Sequence, residues 1–89
     1  MILYQRETCP WCQPVRQRLT ELQISYTLVN VPKPREARAE LIRATGEHFI
    51  PALVDGEVVL AGRLEHNQHL LDYLEERFTE PAVAAEAAA

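Results

Sequence analysis

Hydrophobic and polar positions along the chain switch repeatedly between two periods. Ile2 to Gln5 is a short apolar opening run and reads as a buried strand. From Val15 to Leu22 the apolar residues Val15, Leu19 and Leu22 recur at i, i+4 and i+7, with Arg16, Gln17, Arg18 and Glu21 on the other face. That spacing predicts an amphipathic helix. Ile24 to Val31 alternates and is rich in β-formers (Ile24, Tyr26, Thr27, Val29), so a second strand is expected, closed by Pro32-Lys33-Pro34. Helical spacing resumes from Arg35 to Thr45 through Ala37, Leu41 and Ala44, with Gly46 placed to end the helix. Phe49 to Leu60 holds two apolar runs on either side of Asp55-Gly56, a hairpin signal that makes strands three and four antiparallel neighbours. Leu64 to Phe78 carries Leu70, Leu71, Leu74 and Phe78 at helical spacing, with Glu65, Asp72, Glu75 and Glu76 outside.

The order is β-α-β-α-β-β-α. A helix between the first two strands makes them a parallel pair with a right-handed crossover, and the whole reads as an α/β fold: a four-stranded mixed sheet with helices on both faces. Residues 1–78 form this domain, while 79–89 are an Ala-rich tail with too few large side chains to dock firmly, expected to be flexible. Pro10 suits a first-turn position, and Pro14, four residues on, is expected to distort the start of the first helix.

With 89 residues and 47% hydrophobic composition the chain can bury one core and not two. A net charge of −4 argues against nucleic acid as the main partner. No apolar run approaches a membrane span, and the N-terminus lacks the layout of a secretory signal, so a cytoplasmic protein is expected. The charge is unevenly spread: residues 1–45 sum to +3 and residues 46–89 to −7. The positive half also carries both cysteines, which suits an anionic thiol substrate.

Those cysteines lie in Thr8-Cys9-Pro10-Trp11-Cys12, between the first strand and the first helix. Unpaired N–H groups and the positive end of the helix dipole favour an anion there, so a thiolate at that place should form more readily and be the better nucleophile. A second cysteine two residues on can close a small disulfide with the first and release whatever it has captured. A structural zinc site fits poorly, because the remaining ligand candidates His66 and His69 are spaced as in no compact finger. A purely structural disulfide closing so short a loop would add little stability. His48, His66 and His69 read as surface or helix-face residues, and Trp11 as an apolar wall for the substrate. A Cys-x-x-Cys beside a βαβ unit points to a dithiol redox centre on a thioredoxin-like fold.

At this point the chain resembles the glutaredoxin family over roughly residues 1–78. Arg6 precedes the first cysteine by three residues; Cys9-Pro10-Trp11-Cys12 is close to the family's Cys-Pro-Tyr-Cys; Gly46 through Pro51 is spaced like Gly-x-x-Thr-Val-Pro; and Gly62 precedes the last helix. The resemblance implies that Cys9 is the nucleophile and Cys12 the resolving thiol. It also implies that the Pro51 peptide bond is cis and lies against the cysteines, that the Ile50 backbone binds a peptide-like substrate, and that Arg6 pairs with an anionic group of glutathione or supports the thiolate. Glutathione would serve as co-substrate, with no cofactor bound and no metal. Disulfide-containing or glutathionylated proteins would be the substrates, and a monomer is expected.

The sequence departs from that family where Ala61-Gly62-Arg63-Leu64-Glu65-His66 replaces the usual Gly-Gly and acidic run, and where Phe49 replaces the usual Thr. Glu65 can stand in for the missing acid, or Arg63 can bind a carboxylate directly. Ile50-Pro51-Ala52-Leu53-Val54-Asp55-Gly56 also looks like the N-terminal domain of glutathione transferases. Ala61-Gly62 is similar to the arrangement in small redoxins that are recharged by thioredoxin reductase and serve ribonucleotide reductase. A third alternative is a non-catalytic module that binds glutathione or an iron–sulfur cluster, which Pro10 disfavours because cluster-holding members of the family often lack that proline.

Overall fold

A computed structural model describes residues 1–78. Its sheet contains β1 (Ile2–Gln5), β2 (Thr27–Asn30), β3 (Ala52–Asp55) and β4 (Val58–Leu60), in the order β2-β1-β3-β4. β1 and β2 are parallel, with Ile2 opposite Thr27 and Gln5 opposite Asn30; β1 is antiparallel to β3, and β3 to β4. The helices are α1 (Gln13–Glu21), α2 (Ala39–Thr45) and α3 (Gln68–Phe78). This is a thioredoxin-like α/β fold. The expected Ala-rich tail lies outside the described residues.

Successive side chains of a strand point to opposite faces, and in β1 that alternation divides the core in two. Leu3 joins Val15 and Leu19 of α1, Leu53 of β3 and Leu70 and Leu74 of α3. Tyr4 turns the other way, to Leu41 of α2, Val31, Ile50, Ala52 and Cys12. The hairpin turns at Gly56, whose φ of +64° a side chain would oppose, and Gly46 ends α2 at φ +87° with its N–H bonded to the Ile42 carbonyl at 2.7 Å.

The structure corrects several expected boundaries. α1 begins at Gln13, so Pro14 falls in the first turn, where its missing N–H has no helical partner to lose, and the expected distortion does not arise. β2 is only four residues long; Ile24 and Tyr26 precede it and pack, half-buried, against the Leu3 cluster. Arg35 to Thr45 is not one helix: a 3-10 turn over Arg35–Ala37 is separated from α2 by Arg38, at φ −93°, ψ 57°. α3 begins at Gln68 and not at Leu64. His66 there has φ +62°, and the Asn67 side chain closes the preceding loop, its Oδ1 accepting from the Arg63 N–H at 2.7 Å and its Nδ2 donating to the Arg63 carbonyl at 3.2 Å. His69 lies on a face of α3, half-buried, with its Nε2 2.7 Å from the Ala61 carbonyl and its Nδ1 buried without a partner among the described residues.

Candidate active site

After β1 the chain makes two tight turns that set both cysteines against the start of α1. The Cys9 N–H donates to the Arg6 carbonyl at 3.1 Å, and the Cys12 N–H donates to the Cys9 carbonyl at 3.2 Å. Cys12 is the N-cap residue of α1, its carbonyl accepting from both Val15 and Arg16 at 3.1 Å. One turn therefore separates two sulfurs in very different surroundings: Cys9 is half-buried, whereas Cys12 is 0% exposed among Tyr4, Leu41, Ile50 and Ala52. Burial pushes the Cys12 thiol up from its ordinary 9.0 to about 12, and the hydrogen bond and charge of Cys9 push the same way. A backbone hydrogen bond from Arg6 and the positive charge of Arg16 oppose the rise without overcoming it.

Arg16 is itself held from the sheet. Gln5, fully buried at the end of β1, donates from Nε2 to Asn30 Oδ1 at 2.6 Å and accepts from Arg16 Nη1 at its Oε1. Glu7 lies 3.7 Å from the same guanidinium. A buried amide thus anchors the cation beside the cysteine turn, and in doing so satisfies its own carbonyl.

The Ile50–Pro51 peptide bond is cis, as the resemblance implied, and its two residues are buried with Ile50 packed in the same cluster as Cys12. Gly62 explains its own identity by proximity: a Cβ there would stand 2.4 Å from the Phe49 carbonyl oxygen and 2.6 Å from that of Pro51. The strand-to-helix segment therefore packs backbone to backbone on the segment bearing Pro51, an approach open to glycine alone.

A cleft of about 250 Å³ opens at Cys9. Arg6, Pro10, Trp11 and Ile50, all singled out by sequence, line it together with Cys9. Cys12 and Pro51 lie buried behind it, while Gly62, Arg63 and Glu65 are not among its walls. Arg63 is bound through its backbone to Asn67, and Glu65 sits 3.6 Å from His66, whose ring is 5.7 Å from that of Trp11. The loop thus meets the cleft through Leu64, which lines it, and through His66 against Trp11.

Sequence reasoning missed Arg35 and Arg38, which line the cleft along with Thr8, Phe49 and Leu64. Arg38 is 6% exposed and donates to three backbone carbonyls: Pro32 at 2.7 Å, His48 at 2.8 Å and Lys33 at 2.9 Å. Its pKa is lowered, chiefly by burial and then by repulsion from Arg6 and Arg35, while Cys9 and Cys12 pull the other way. Arg35 is laid over the Phe49 ring, 5.4 Å from its centroid. The available signal was the pair's spacing of three residues directly after Pro32-Lys33-Pro34, in the positive half of the chain. Among the described residues, no group of three or more His, Cys, Asp or Glu side chains is placed to hold a metal.

Residues 3–82 match the family described as glutathione S-transferase, N-terminal domain. A glutaredoxin-like 8.6 kDa protein from the rubredoxin operon of Clostridium pasteurianum is 27% identical over 59 residues, covering 65% of this chain and 79% of that one. Among solved structures, a diazinon-metabolizing glutathione S-transferase of the silkworm Bombyx mori superposes with a TM-score of 0.71 at 22% identity, covering 88% of this chain and 37% of its own. Glutathione transferase E6 of Drosophila melanogaster gives 0.69 at 20% identity, with coverages of 97% and 39%. The chain spans less than two fifths of the length of either transferase.

Proposed function

Because the chain belongs to the glutathione S-transferase N-terminal domain family, we propose that it handles glutathione through the cysteine turn, as a glutaredoxin-like thiol–disulfide oxidoreductase. One observation carries the reading: a half-buried Cys9 opens on an arginine-lined cleft while Cys12, one turn on, is fully buried with its thiol pushed up to about 12. Two thiols so different divide the labour of an exchange reaction.

The Cys9 thiolate attacks the glutathione sulfur of a mixed disulfide RS–SG. The S–S bond breaks, RS⁻ departs and takes a proton from water, and Cys9–SG forms. Cys12, held as a neutral thiol, does not compete for the substrate. Release follows one of two routes. A glutathione thiolate attacks the glutathione sulfur, restoring Cys9 and producing oxidised glutathione, or Cys12 passes its proton to the leaving glutathione as its sulfur closes a disulfide with Cys9. Two molecules of glutathione then reopen that disulfide; since one was released as it closed, either route converts RS–SG and one glutathione into RSH and oxidised glutathione.

The test is a pair of variants on two substrates. Cys9→Ser abolishes turnover of both a glutathionylated peptide and a protein disulfide. Cys12→Ser retains the first and loses the second. Equal loss in both variants on the glutathionylated peptide overturns the assignment of Cys9 as sole nucleophile.

A second reading changes only the electron donor. The loop of residues 62–67 is closed on itself by Asn67, which already occupies the Arg63 N–H, so it offers glutathione less than an open loop would. Recharging by thioredoxin reductase then replaces recharging by glutathione, and a coupled assay with each reductant alone decides between them.

A further inference from the structure

The arginines of the cleft differ in one respect from those of α1. Arg16 lies 3.7 Å from Glu7, and Arg18 pairs with Glu21 at 3.0 Å and Glu75 at 2.7 Å. Arg6, Arg35 and Arg38 make no ion pair among the described residues, although all three line one cleft of about 250 Å³ with Cys9. Among the described residues, no carboxylate lines that cleft. Arg38 is fixed by three carbonyls, which take three of its five N–H bonds and leave its charge unneutralised, and Arg35 is held over Phe49.

Three cations gathered with no carboxylate among them repel one another; the Cys9 thiolate offsets one of them, and the rest of the charge is relieved by an anion brought from outside. A single carboxylate answers one of them. Guanidinium groups at fixed positions match the oxygens of a phosphate or of two neighbouring carboxylates, and do so with bidentate geometry. An ammonium group, in contrast, finds no acid on these walls to receive it.

We infer that the cleft selects low-molecular-weight disulfides that carry two negative charges close to the sulfur, as a phosphate or a paired carboxylate, and gives no preference to an ammonium group. This rests on the oxidoreductase reading and narrows its substrate class: the small thiol joined to Cys9 during turnover is a dianion, of which glutathione, with its ammonium, is a poorer example. Trp11 and Phe49 supply apolar walls for the carbon atoms between sulfur and charge.

The experiment uses one neutral peptide joined in turn to 2-mercaptoethanol, 3-mercaptopropionate, mercaptosuccinate and 2-mercaptoethyl phosphate, with dithiothreitol as the neutral recycling reductant. At low ionic strength kcat/KM rises at least tenfold from the neutral member to the better dianion. The two dianionic arms show whether phosphate or dicarboxylate is preferred. The ratio of dianion to neutral falls at least threefold in Arg35→Gln and again in 0.5 M salt. A flat charge series in the unmodified protein overturns the proposal and leaves the oxidoreductase reading standing. Binding is measured separately through the fluorescence of Trp11, the chain's one tryptophan, with the non-reducible thioether 2-(methylthio)ethyl phosphate and its uncharged alcohol. At least tenfold tighter binding of the phosphate, with no disulfide reduced, upholds the anion site and sinks the redox chemistry; equal binding of the two sinks the anion site.

Discussion

The two sulfurs are alike in chemistry and unlike in setting, and the difference has a thermodynamic consequence at Cys12. Its thiol is held neutral in the folded protein up to about 12, whereas in the unfolded chain it ionises near its ordinary 9.0. Between those values the unfolded chain has lost a proton that the folded one keeps, so stability falls as pH rises through that window. Three pKa units correspond to about 4 kcal/mol, as an upper bound on the full effect. Reduced protein unfolded with urea between pH 8 and pH 10.5 should therefore lose stability faster than Cys12→Ala does, since the alanine has no proton to release. Parallel pH profiles for the two proteins would show that burial does not hold the thiol neutral. Arg38 poses the converse problem, a permanent cation 6% exposed. Its three carbonyl bonds stabilise the charge where, among the described residues, no carboxylate does, and the residue ties the segment after β2 to the segment before Pro51.

At the scale of elements, those same bonds explain why the second helical segment breaks. Arg38 turns inward to reach carbonyls at positions 32, 33 and 48, and its backbone, at φ −93° and ψ 57°, stands outside the helical region between the 3-10 turn and α2. Local periodicity carries no trace of an acceptor ten residues away, so the break was illegible. The same holds at α3. Leu64 fits the helical spacing, but Asn67 spends its side chain on Arg63 and starts the helix four residues later. By contrast β1, the turn at Asp55-Gly56 and the C-cap at Gly46 depend on neighbours in sequence, and all three were readable. So was the cysteine turn. The arginines at 35 and 38 were not, because their meaning comes from meeting Arg6 across the fold. Gly62 belongs to this scale too. Gly62→Ala forces its Cβ against the Phe49 and Pro51 carbonyls, both backbone atoms, and should cost about 1–3 kcal/mol as overpacking. Because Phe49 and Ile50 line the cleft, kcat/KM should fall with it. Gly56→Ala is the control: nothing lies within 4 Å of its Cβ, so only the strain of φ +64° is felt, about 1 kcal/mol in thermal melts, with activity retained.

At the scale of the whole molecule, the sheet separates two cores with different duties. Leu74 sits at 0% exposure with Leu3, Val15, Leu19, Leu53 and Leu70, between α1, α3 and the sheet. Leu41, also at 0%, packs on the other face with Cys12, Ile50 and Ala52. Truncating either leucine to alanine removes the same methyl groups and leaves a comparable cavity, so each should destabilise by about 2–5 kcal/mol. The second cavity, however, adjoins the buried sulfur. Space beside Cys12 admits water or motion, which lessens the desolvation that keeps its thiol neutral. Leu41→Ala should therefore lower the pH at which Cys12 becomes reactive toward iodoacetamide in a Cys9→Ser background, while Leu74→Ala leaves that pH unchanged at equal loss of stability. If both variants shift it alike, general loosening sets the reactivity of Cys12; if only Leu41→Ala does, the α2 face holds the sulfur while the opposite face holds the fold.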